Sequence, residues 1–286
     1  MGALGRSFNI FSQSFALLKK DKELLLFPIL SGVFCILALA GMIFGGVWTW
    51  LFGSMFKDVI GGNGNGAEIL GYLFVAVWYF VSWFIVIFFN VAIVACAKIR
   101  LEGGDPVLAD GFRAGFDNLG RIAGWAAVSM IVGLLLDAIE RVPRIGRLLR
   151  MLIGTAWGVL TYFVVPVMIF EKTGPFASIK QSKELLRRTW GESLAGSMGL
   201  GFVIFLLMIP AFGLLYLGAS AGAGAVTFIV FGVYTLSILV LGSALSGIYR
   251  TALYVYATTG QVPAGFDELA IRSSFAPRAT GFGAFG

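Results

Sequence analysis

The sequence predicts an all-α membrane protein with six transmembrane helices, and three observations carry that prediction. Six long apolar runs, divided by short charged or glycine-rich breaks, fill the chain from Leu24 to Ala257. Hydrophobic residues make up 58% of the 286 and charged residues only 13%, about half the charged share of a soluble domain. The 39 glycines suit helices that approach one another closely in lipid.

The runs lie at 24–52, 69–97, 119–138, 150–170, 194–217 and 224–256. A stretch of about 20 apolar residues crosses the hydrocarbon core. The first, second and sixth runs are longer, which predicts tilt or projection beyond it. Lys19, Lys20 and Lys22 ahead of the first run, with Ala38-Leu39-Ala40 inside it, imitate a secretory signal and its cleavage site. The run continues to Phe56, past that site, so a retained span is expected. The runs make one polytopic domain over 1–257. Residues 258–286 form a short tail, in which Phe266, Leu269, Ile271 and Phe275 are the residues expected to dock back.

A short amphipathic segment precedes each pair of runs. In the first, Leu4, Phe8, Phe11, Phe15 and Leu18 recur at steps of four and three, one face of a helix. In the second, Asp105 is placed to cap and Pro106 to start a helix whose face is Leu108, Phe112, Phe116 and Leu119. In the third, Pro175 starts a helix lined by Phe176, Ile179, Leu186 and Trp190. Basic or polar residues lie opposite, as in helices that rest in the membrane interface. The chain therefore reads as an interfacial helix plus two spans, repeated three times.

With the N-terminus cytoplasmic, most of the 21 basic residues fall on the inside, among them Lys19, Lys20, Lys22, Lys98, Arg100, Lys183, Arg187 and Arg188. The positive-inside rule thus predicts both termini cytoplasmic in a cell membrane. Arg141, Arg144, Arg147 and Arg150 oppose the rule. They suggest an outside basic hairpin touching lipid phosphates, or a re-entrant pair over 121–170; a full crossing is the stronger expectation because 150–170 is followed by Glu171 only after a charge-free run. Glycines 61–66 with Asn63 and Asn65, and the run from Ser220 to Gly224, read as turns.

The most distinctive stretch runs from Val165-Pro166-Val167-Met168-Ile169-Phe170-Glu171 through Gly174-Pro175-Phe176-Ala177-Ser178-Ile179-Lys180-Gln181-Ser182-Lys183-Glu184-Leu185-Leu186 to Trp190. It resembles the pattern of uncharacterised prokaryotic six-span membrane families, including the YciC-like proteins and the membrane domain fused to some glycerophosphodiesterases. The resemblance covers the layout of the whole chain and implies a six-helix bundle with interfacial helices. It implies no activity, and the chain has no room for a fused phosphodiesterase domain. The residues explain the motif without it: Pro166 loosens a span near its end, Glu171 marks the water boundary, Pro175 restarts a helix, and Ser182 and Trp190 complete the structural motif, the tryptophan at interface depth.

Catalytic constellations are scarce. Histidine is absent, which removes histidine triads, histidine metal ligands and histidine proton relays. Cys35 and Cys96 both lie in apolar runs and read as small buried hydrophobes. Gly218-Ala219-Ser220-Ala221-Gly222 matches G-x-S-x-G without a base to serve it. The three-residue arginine spacing resembles a voltage sensor, but on an α-helix such a row drifts around the circumference, and Pro143 and Gly146 interrupt it. No catalytic residue, cofactor or metal is expected, and no nucleic-acid motif appears. Gly41/Gly45, Gly120/Gly124 and Gly154/Gly158 offer close helix contacts. Asn90, Thr161, Tyr162 and Pro210 are the irregularities inside spans. The expected function is interaction: a scaffold or membrane-organising protein whose basic groups, Lys183, Arg187, Arg188 and the four hairpin arginines, meet anionic lipid headgroups or a membrane-protein partner. A small transporter or channel for a lipid or apolar solute is the alternative, and an intramembrane enzyme the third.

Overall fold

The computed structural model describes residues 3–60, 65–188, 192–220 and 224–266, with side chains at 8–46, 73–187, 200–216 and 224–266. Trp190, Leu269, Ile271, Phe275, most of the 61–66 turn, the turn after Ser220 and the side chain of Arg188 lie outside these residues, as do parts of the G-x-S-x-G match.

Every regular element among the described residues is helical. Helix α1 (Ala3–Lys20) leads through a 3-10 turn (Lys22–Leu25) into α2 (Leu26–Ile60) and α3 (Asn65–Leu101). Short α4 (Leu108–Asp117) precedes α5 (Leu119–Glu140), α6 (Gly146–Leu160) and α7 (Val164–Phe170). Then α8 (Pro175–Arg188) precedes α9 (Glu192–Ser220) and α10 (Gly224–Thr259). Five stretches are long and apolar enough to cross a membrane: Lys22–Gly46, Leu73–Leu101, Leu119–Glu140, Gly146–Phe170 and Gly224–Thr259. Within the 29-residue α9, the apolar stretch with described side chains is Leu200–Tyr216.

Helix α3 is the hub, packing against α2, α4, α5, α7 and α10. Burial is concentrated at its C-terminal half. Val91, Ala92, Ile93 and Val94 are sealed, as are Ile122 and Ala126 of α5, Val164, Val167 and Met168 of α7, and Ala244, Leu245, Ile248 and Leu253 of α10. The other end is apolar but open, with Ile36, Phe44, Leu73, Phe205, Phe212, Phe228 and Ile229 exposed. Water would not tolerate so large an apolar surface; lipid tails cover it at no cost.

The structure shows which residues of the short helices meet the core. In α1 the buried residues are Ile10, Ser14, Leu17 and Leu18, while Phe8 is 52% exposed. In α4 the buried positions are Gly111 and Gly115, while Phe116 is 61% exposed. In α8 they are Ser178, Ser182, Leu185 and Leu186, while Phe176 is 76% exposed. Each helix turns one or two small residues inward beside larger apolar ones, such as Leu18, Phe112 and Leu186, and leaves a phenylalanine outward. Small residues let backbones approach, which is how helices bind one another when the solvent is itself apolar. A Cβ on Gly115 would lie 2.6 Å from the Phe88 ring, and one on Gly111 would collide with Phe27.

One local start also differs. Helix α4 begins at Leu108, with the Asp110 carboxylate accepting the Val107 N–H at 3.0 Å. Asp105 does not cap it but joins Arg100. Of the paired glycines, Gly45, Gly124 and Gly154 face a neighbouring side chain, whereas Gly41, Gly120 and Gly158 face open space. The tail reading holds for Phe266, which is buried against the core.

Candidate functional site

The expected span 150–170 is not one helix. It breaks at Thr161–Phe163 into α6 and α7. Pro166 is the cause: it has no N–H for the carbonyl four residues back, Tyr162, and its ring crowds that carbonyl. A gap in a membrane helix exposes backbone groups that lipid cannot satisfy. Ser182 of α8 repairs it. Its Oγ accepts the Phe163 N–H at 3.1 Å and donates to the Leu160 carbonyl at 2.7 Å. Ser182 is completely buried, so this stitch is dry. The motif residues Pro166 and Ser182 thus act at one joint, while Pro175 starts α8 two turns earlier, where Ser178 is bonded to the Gly174 carbonyl at 2.9 Å and to the Thr173 hydroxyl at 2.8 Å.

Arg250 of α10 reaches this joint. Its guanidinium lies over the Tyr162 ring, 5.1 Å from the centre. The side chain is half-buried, no carboxylate pairs with it among the described residues, and its Nε makes no hydrogen bond. One turn on, the Tyr254 hydroxyl donates to Glu171 at 3.1 Å, Phe170 stacks on Tyr254, and Lys98 sits over Phe170. Glu171 is therefore engaged by Tyr254. Asn90, an irregularity of the second span, is also partly buried, with an Oδ1 that accepts no hydrogen bond.

Two other arginines are held differently. Arg100, at the end of α3, grips Asp21 through two nitrogens and Asp105 through one. Asp21 is only 6% exposed. Across the bundle, where α3 carries Tyr79, Arg150 pairs with Asp137 at 2.9 Å and with Glu140, and the Tyr79 hydroxyl donates to Asp137 at 2.8 Å. Along α3, Tyr79 and Arg100 are separated by about 31 Å at the helical rise of ~1.5 Å per residue, close to the ~30 Å of a hydrocarbon core.

Arg150 is thereby occupied inside the α5–α6 hairpin. Arg141, Arg144 and Arg147 are exposed and line an open concavity of about 680 Å³ together with Glu140, Val142, Leu148 and Met151. Arg144 adopts φ 68°, a left-handed conformation that favours glycine. On α8, Lys180, Lys183 and Arg187 are exposed, opposite the Ser178/Ser182 face. Among the described residues, no group of His, Cys, Asp or Glu has the arrangement of a metal site; Cys96 is buried and Cys35 partly so, both as free thiols. Sequence reasoning counted Arg250 and Arg100 only as inside charges and did not single out Asp21. The one available signal was an arginine placed within α10's apolar pattern, nine residues before its end.

The fold and these joints define an α-helical protein of membrane-length apolar helices. The chain belongs to the family of unknown function DUF6159, whose model matches residues 69–266. The matched stretch holds the broken span, Arg250 and the arginine hairpin, and excludes Asp21. No curated protein and no solved structure matches the chain.

Proposed function

We propose that this protein is a multi-pass protein of the cell membrane, both termini cytoplasmic, that works by binding rather than catalysis: it holds anionic lipid headgroups, and through them or beside them a membrane-protein partner. In this reading α2, α3, α5, α6–α7, α9 and α10 form six crossings in three units, each led by an interfacial helix, α1, α4 or α8. The likeness to YciC-like proteins and the glycerophosphodiesterase membrane domain supports that layout. The observation that carries the reading is the hairpin. Among the described residues Arg141, Arg144 and Arg147 make no ion pair, and they surround a concavity with apolar walls and one carboxylate, Glu140, which Arg150 already neutralises; that combination suits a phosphate sitting above acyl chains. An arginine at the left-handed position of Arg144 carries a strain of about 1 kcal/mol, which points to a use for that side chain.

The test is gentle purification of tagged protein from native membranes, with mass spectrometry of co-purifying proteins and lipids. Enrichment of anionic phospholipid that falls when Arg141, Arg144 and Arg147 are changed to glutamine is the expected outcome, with any stoichiometric partner lost on neutralising Lys183, Arg187 and Arg188. A lipid and protein profile identical to the bulk membrane would sink the reading. A transporter or channel is the second reading, favoured by the broken α6–α7 span, since transporters place discontinuous helices at their sites. Flux in liposomes that depends on Tyr162 or Asn90 would promote it.

A further inference from the structure

We infer that Arg250 and Tyr162, at the break between α6 and α7, form a binding site for a phosphate-bearing ligand inside the bundle. The argument is one of charge. Each of the other two arginines at helix joints, Arg100 and Arg150, is neutralised by two carboxylates. Arg250 has none among the described residues, although it sits between sealed neighbours, Tyr249 and Thr251, on a helix whose Gly247 packs against Ile93. The nearby carboxylate of Glu171 is turned to Tyr254. A guanidinium in the interior of a membrane protein calls for a counter-charge, and such groups mark ligand sites. The protein supplies a tyrosine face and an unanswered Nε–H instead of an anion.

The joint is also fixed in place. Pro166 prevents α6 and α7 from closing into one helix, and Ser182 fixes the two ends by satisfying Phe163 N–H and Leu160 C=O. The Tyr162 ring lies within this break, with Arg250 over it. A phosphate offers the planar fork of an arginine two oxygens at once, and the tyrosine hydroxyl a further acceptor. The phosphate belongs either to a phospholipid headgroup or to a soluble phosphate compound. The site is separate from the arginine hairpin and stands whether or not that surface binds lipid.

Full-length protein in a mild detergent is titrated with dioctanoyl phosphatidylglycerol and, separately, with inorganic phosphate, and thermal unfolding is read by tryptophan fluorescence. Saturable stabilisation of the wild type is expected, with a midpoint at least tenfold higher in Arg250→Gln and several-fold higher in Arg250→Lys and Tyr162→Phe. The same titrations are repeated in the Arg141→Gln/Arg144→Gln/Arg147→Gln background, which removes any contribution of the hairpin; the shift caused by Arg250→Gln is expected to persist there, and its disappearance overturns the proposal. Stabilisation by the lipid alone assigns a headgroup; stabilisation by inorganic phosphate as well assigns a soluble source. No saturable response to either probe, or equal midpoints for wild type and Arg250→Gln, overturns the proposal. Should Arg250→Gln fail to give a monodisperse protein, Arg250→Lys and Tyr162→Phe decide: unchanged midpoints in both overturn it equally.

Discussion

The two arginine clasps at the two ends of the bundle use the same chemistry for different purposes. At one end Arg100 joins Asp21, seventy-nine positions away in the chain, and so fastens the α1–α2 joint to α3. At the other end Arg150 takes its carboxylates from Asp137 and Glu140, ten to thirteen positions away in the same hairpin. Asp21 is buried, whereas Arg150, Asp137 and Glu140 are all about a third exposed or more. A buried pair that loses one member leaves a stranded charge; an exposed pair is replaced by water. The bundle is thus locked at one end by a long-range contact and merely stapled at the other, which matches the sealed and open distribution of its apolar side chains.

Breaking the buried clasp should have the largest effect. Asp21→Asn is expected to lower stability by about 3 kcal/mol, the low end for a broken buried pair because Asp105 still holds Arg100. Thermal unfolding in detergent measures it, and a loss no larger than that of Arg150→Gln would end the comparison. Ser182→Ala should follow, at about 1–3 kcal/mol, since it orphans a buried N–H and a buried C=O. Adding Pro166→Ala restores a donor to the Tyr162 carbonyl and should recover part of that loss; a purely additive double variant would show that the proline and serine do not act on one joint. Gly115→Ala, pressed against Phe88, is expected to be destabilising by about 1–3 kcal/mol, whereas Gly120→Ala, facing open space on α5, should be neutral or slightly stabilising. Smallest of all, Arg150→Gln should shift stability by about 0–1 kcal/mol and more weakly at high salt.

Much of this was legible in the order of residues. The apolar runs mark the long helices, because a helix that must lie in lipid has to be apolar along about 20 residues. Pro166 was visible as a weak point and Pro175 as a helix start, since proline acts through its own missing N–H. The faces of α1, α4 and α8 were legible in part. Periodicity found the apolar side of each helix, and Phe11, Phe15, Leu18, Phe112, Ile179 and Leu186 of it meet the core. What periodicity did not show is that Ser14, Gly111, Gly115, Ser178 and Ser182 are buried beside them, small residues that permit close approach, while Phe8, Phe116 and Phe176 stay outside. Asp105 was misread as a cap because nothing local announces that Arg100 will fold back to claim it.

The sequence alone thus determined that the chain is helical and apolar along membrane lengths, that proline interrupts it at Pro166, and that no histidine chemistry is available. Those properties are local: composition, periodicity and backbone donors belong to a residue and its neighbours within a turn or two. Only the tertiary structure decided which charges are neutralised. Arg100, Arg150 and Arg250 are indistinguishable as letters, yet one is bound by a distant buried aspartate, one by its own hairpin, and one by a tyrosine face with no carboxylate among the described residues. A partner's distance in space, not its place in the chain, sets the strength of a charge pair.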